Sequence, residues 1–159
     1  MQNQLIIKAE AGVDQKVPPK DKNAYDRIVL AGMKVLFSKN THSQIMQGMK
    51  EAQDKPSTAA EGIVGLMGML YKQSNNTMPV APMILAGMSL LMQALDFLEQ
   101  AGVMQIDPPT LEAATTHYLE TLLPKIGLTQ DKMDAMLGHA RNVMADPQKM
   151  AQYKQSMGA

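Results

Sequence analysis

Between Val80 and Leu95 no charged side chain interrupts the sequence, and only Ser89 and Gln93 break a nearly continuous apolar run. A helix that is apolar on nearly every side is buried on nearly every side, so this segment reads as the centre of a fold. Pro79 and Pro82 suit its first turn, where a missing amide hydrogen costs little. It runs to about Gln100, with Gly102 placed to cap its C-terminus.

Shorter amphipathic patterns flank this centre. Tyr25, Ile28, Val29, Met33, Leu36 and Phe37 recur at three- and four-residue steps and predict a helix over 23–37. Thr41-His42-Ser43-Gln44 has the form of a capping box for a short helix carrying Ile45, Met46 and Met49, with Pro56 closing it. A second box, Thr58-Ala59-Ala60-Glu61, predicts the start of a helix through Tyr71. Asp107-Pro108-Pro109 supplies an N-cap and first-turn prolines for a stripe of Leu111, Ala114, Thr115, Tyr118, Leu119, Leu122 and Leu123. Thr129 begins a further stripe through Met133, Met136, Leu137, Ala140 and Met144, and Asp146-Pro147 starts a last short helix. No strand pattern occurs. The expected fold is all-α, a compact bundle of about five to seven helices.

Residues 1–20 give no helical period, and Gly12, Pro18 and Pro19 resist one. They are expected to form an extended N-terminal arm, either a solvated tail or a segment ordered on a neighbouring subunit with Leu5, Ile6 and Ile7 as its anchor. The helical domain then spans 21–145, and 146–159 form a short C-terminal helix or tail.

Composition narrows the function classes. The chain has 159 residues, fifteen basic and fifteen acidic, so there is no excess of cation with which to neutralise phosphate. Specific nucleic-acid binding is not expected. Cysteine is absent, which removes disulfides, thiolate nucleophiles and cysteine-ligated zinc. The N-terminus lacks the layout of a secretory signal. His42, His117 and His139 form no ligand pair; His117 and Glu120 stand one turn apart, but two side chains do not make a metal site. Asp131 and Asp134 flank Lys132 on what reads as a charged helix surface. Gly62 to Gly68 is no phosphate loop, because it lies inside a helix and not between a strand and a helix. Neither an enzyme nor a cofactor is expected.

Sixteen methionines and only two phenylalanines make the apolar material unusually pliant. Met67, Met69, Met83, Met88 and Met92 are candidates for an adaptable contact surface, against the plainer reading of core filler. Gly62, Gly65 and Gly68 recur at steps of three, each costing about 1 kcal/mol against alanine. With Gly87 they are candidate sites of close helix approach, where leucine at 65 or 68 would overpack. Self-association is therefore expected. The helical pair over 59–98 also raises conditional membrane insertion, although its first member is too short to span and the aromatic belts of a constitutive membrane protein are missing.

Two stretches carry a family resemblance. Ala24-Tyr-Asp-Arg-Ile-Val-Leu-Ala-Gly-Met-Lys34 with Thr41-His42 is one, and Thr77-Met-Pro, Ala-Gly87 and Gln-Ala-Leu-Asp-Phe-Leu-Glu99 together form the other. They resemble small helical proteins encoded among the virion structural genes of short-tailed bacteriophages, over about residues 23–140. The resemblance implies an oligomeric virion component, made in the host cytoplasm, that partners itself and other virion proteins. It would sit at the neck or portal, or inside the head as a protein ejected with the DNA. The residues alone leave two other readings open: a helical adaptor or chaperone holding an amphipathic partner in a Met-lined groove, and a membrane-inserting ejection protein.

Overall fold

The computed structural model describes residues 3–127 and residue 131, and its regular structure there is entirely helical. Six α-helices follow in order: α1 (Gln4–Lys16), α2 (Lys22–Leu36), α3 (Lys39–Glu51), α4 (Lys55–Gln73), α5 (Val80–Gln100) and α6 (Pro108–Lys125), with a single 3₁₀ turn, Pro19–Asp21, between α1 and α2. The expected helices after Thr129 and after Asp146, and the boundary drawn at 145, lie outside the described residues.

α5 is the hub. It packs against α1, α2 and α4, while α6 lies mainly along α4. Ala86, Leu90, Leu91, Met92 and Leu95 are fully enclosed, and Met83 and Leu98 nearly so. These positions cover most of the helix circumference, as its uncharged sequence requires. Its C-terminus closes as expected: Gly102 adopts φ 75°, its N–H donates to the Glu99 carbonyl, and the Val103 N–H reaches back to Leu98. The turn before α5 depends on Asn75 and Asn76, both with positive φ, a conformation that Asn tolerates better than most residues. Asp107 caps α6 by accepting from the Thr110 N–H at 2.9 Å.

Several boundaries differ from expectation, among them the start of α4, which lies at Lys55 and not at the Thr58 box. The N-terminal segment is not an extended arm: Gln4–Lys16 is a helix docked on α5. Asn3 explains its start. Its side-chain oxygen accepts from the Leu5 N–H at 2.8 Å, while its amide donates to the Glu99 carboxylate at 3.0 Å and to the Ile106 carbonyl at 2.9 Å. Glu99 also accepts from the Ile106 N–H at 2.6 Å, so one clasp joins the start of α1, the end of α5 and the loop before α6. Of the proposed anchor, Ile6 is wholly buried within its own chain, Leu5 is half-buried and Ile7 is exposed. Pro56 opens α4 where it was expected to close α3, because Asp54 caps the helix from the Ser57 N–H and a first-turn proline needs no donor. Thr41 does not cap α3. The helix has already begun at Lys39, after Ser38.

Two glycines mark the tightest contacts. A Cβ on Gly32 of α2 would run into the Leu90 side chain, and one on Gly87 of α5 into the Tyr118 hydroxyl and Met67. That hydroxyl is buried and donates to the Ile84 carbonyl at 2.9 Å, so it cannot retreat without losing its acceptor. Burial drives the Tyr118 phenol far above its ordinary pKa, which keeps it a donor. Gly87→Ala is expected to destabilise the chain by about 1–3 kcal/mol, read as a lower urea midpoint.

Between α1 and α5, burial and then the Asp14 and Asp96 carboxylates hold Glu10 above the ordinary carboxylate range. The folded state therefore favours neutral Glu10. Its penalty is absent at acid pH and grows as pH rises through the raised value. Glu10→Gln is expected to stabilise the protein at about pH 7, with the gain shrinking toward about pH 4; urea melts at both pH values would check the trend.

Candidate functional site

α3 is the least firmly held helix, with Met49 its only buried residue. Between α3 and the rest of the bundle runs an open groove of about 450 Å³. Thr41, Ile45, Gly48 and Met49 form its α3 wall, at the spacing of one helix face. Val35 and Leu36 of α2 form its end, and Ala94 and Leu98 of α5 its floor. The opposite wall is α4, through Thr58, Ala59, Gly62, Ile63, Gly65, Leu66 and Met69. Among the described residues that line it, Thr41 and Thr58 contribute the only polar side chains, so the groove suits apolar surface and has little to orient a polar substrate.

Beside this groove an aromatic cluster joins the end of α2 to α3 and α5. The Phe37 and Phe97 rings meet edge to face at 5.9 Å, and His42 lies 4.5 Å from Phe97. Phe37 remains exposed despite that contact. On the other flank of α4 a second groove of about 430 Å³ is lined by Val64, Met67, Gly68, Tyr71, Val80, Met83, Leu122 and Ile126, with Lys125 at its edge. α4 thus stands between two apolar depressions.

The glycine stripe faces them. A Cβ built on Gly62, Gly65 or Gly68 meets nothing within 4 Å, and all three glycines are exposed. Among the described residues no helix makes a close approach at these three positions. That role falls to Gly32 and Gly87, and Gly87 is accordingly no surface candidate. The methionines divide in the same way. Met67, Met83 and Met92 are core residues, Met88 is half-buried, and Met69 is exposed beside the glycines. The overpacking expected of leucine at 65 or 68 has nothing among the described residues to collide with.

The polar groups lie elsewhere. His117 Nε2 meets Glu61 Oε1 at 3.0 Å across α4 and α6, with Glu61 62% exposed. Among the described residues no three His, Asp or Glu side chains gather where a metal could sit. The Tyr25 hydroxyl donates to Asp14 at 2.5 Å, and burial followed by that carboxylate pushes the phenol pKa upward. This pair ties α2 to α1. Among the described residues, Val80–Gln100 is the one helix long and apolar enough to cross a membrane, and in this fold its apolar surface is spent on α1, α2 and α4.

Comparison with protein-family models, curated proteins and solved structures finds no match. The chemistry of the grooves therefore has to carry the reading. Gly65→Ala should oppose Gly87→Ala in sign: with no neighbour to strike among the described residues, it is expected to stabilise the dilute, monomeric chain by up to about 1 kcal/mol through helix propensity, measurable by urea denaturation.

Proposed function

We propose that this protein is a non-enzymatic helical subunit that works as an oligomer, as a structural component of a tailed-phage virion at the neck or portal or among the ejected internal proteins. One observation carries the oligomeric part. α4 leaves Gly62, Gly65, Gly68 and Met69 exposed between two apolar grooves. Apolar depressions of this kind mark contact sites more often than idle surface. The virion assignment is supported by the resemblance of residues 24–34, 41–42 and 77–99 to proteins encoded among phage structural genes. Net charge near zero favours protein partners over nucleic acid.

A second reading has its own support. The first groove is lined by both α3 and α4, and Gly48 and Gly62 on those helices are bare. That space suits an amphipathic partner helix, as in an adaptor or chaperone. Conditional membrane insertion demands more, since α5 must first shed α1, α2 and α4.

Native mass spectrometry of the isolated chain, with proteomics of purified particles, separates these readings. A defined oligomer found in mature virions is expected. A monomer absent from particles would sink the virion reading and favour the adaptor.

A further inference from the structure

α4 carries no charged residue between Glu61 and Lys72. Its outward positions in that interval are Gly62, Gly65, Gly68 and Met69, where a solvated helix face ordinarily holds charged or amide side chains. At the helical turn angle, Glu61, Lys72 and the three glycines fall within an arc of about 120°. One acidic and one basic side chain therefore bracket the bare stripe at its two ends, on the same face.

This arrangement is self-complementary. About a two-fold axis passing between Leu66 and Met67, an antiparallel copy of α4 sets Gly65 against Gly68 of the second copy. The same operation sets Glu61 against Lys72 of the second copy, twice by symmetry. Each charge lies roughly 8 Å along the helix from that midpoint, a span that long side chains bridge at ordinary crossing angles. Glu61 keeps most of its side chain in solvent despite its contact with His117, and Lys72 is exposed. Glycine on both faces removes the side chains that would hold two helix axes apart. Met69, 37% exposed beside the stripe, offers an apolar knob to the second copy.

We propose that two copies of this chain associate through an isologous, antiparallel pair of α4 helices, with Glu61 of each facing Lys72 of the other. This names the contact surface for the oligomer reading above and rests on it. The apolar grooves flank the pair, so the second copy also covers part of their mouths.

Sedimentation equilibrium on the full chain tests the pairing. The wild type is compared with Glu61→Lys, Lys72→Glu, an equimolar mixture of those two, and Gly65→Leu. Each charge reversal is expected to weaken association about tenfold, since two exposed pairs turn repulsive. The mixture restores it, because each reversed charge then meets its opposite in a heterodimer. Gly65→Leu abolishes association while the helicity and melting temperature of the dilute monomer are kept or raised, as a side chain there meets none of the described residues and leucine is the better helix former. A wild type that associates but ignores Gly65→Leu overturns the α4 pairing and leaves the oligomer reading standing. A response to Gly65→Leu without mutual rescue of the charge variants overturns the antiparallel register, and with it the proposal. A wild type that stays monomeric at every concentration overturns both, and a bound amphipathic peptide would then assign the face to another protein.

Discussion

A helix with no charge from Val80 to Leu95 has no face to offer water, and the rest of this structure is arranged to meet that constraint. Aliphatic side chains on α5 need neighbours on several sides, and single-layer contact with one helix would leave much of them wet. α1, α2 and α4 supply the cover, and α6 backs α4 from outside. The cover is tight where the hub demands it. Gly32 lets Leu90 of α5 lie against the α2 backbone, and Gly87 lets the Tyr118 hydroxyl reach the Ile84 carbonyl. In both places removing a side chain brings two backbones within reach of a bulky neighbour, a gain in packing that outweighs about 1 kcal/mol of lost helix propensity.

The hub was legible in the sequence because its signal is local: an uncharged run bounded by prolines before it and Gly102 after it. α6 was legible for the same reason, through Asp107 and its paired prolines. α1 was missed although its stripe is present, as Ile6, Ala9, Val13 and Val17 are all buried. Its members are small or separated by polar residues, and what stabilises the helix is distant in sequence. The Asn3 amide depends on Glu99 and Ile106, which no local window contains. Pro56 shows a different limit. A proline is equally at home just after one helix and just inside the next, and only the Asp54 cap decides between them.

The glycines expose the deepest ambiguity. A periodic run such as 62, 65 and 68 invites the inference of close packing, whereas isolated glycines at 32 and 87 do not. Tertiary structure reverses the assignment within the chain, since a glycine's neighbours are set by helix placement and not by spacing. The methionines follow suit: Met67 and Met83 fill the core from the same helices on which Met69 and Val80 reach solvent. Sequence identified the two helices that matter but could not say which of their faces was already occupied.

That reversal changes what the stripe means. Had Gly62, Gly65 and Gly68 met α5 or α6, their cost in helix propensity would be accounted for by the fold itself, as it is at Gly32 and Gly87. Left bare, they lower the stability of α4 by about 1 kcal/mol each with no contact among the described residues to offset it. Alanine at these positions would fold at least as well, and glutamate or lysine would solvate better. A surface that is both less stable and less soluble than simple alternatives is hard to reconcile with solvent as its working environment. It is consistent with a face whose contacts form only when another helix arrives. In the proposed pairing, Glu61 and Lys72 at opposite ends of that face would favour an antiparallel register over a parallel one, in which like charges would meet.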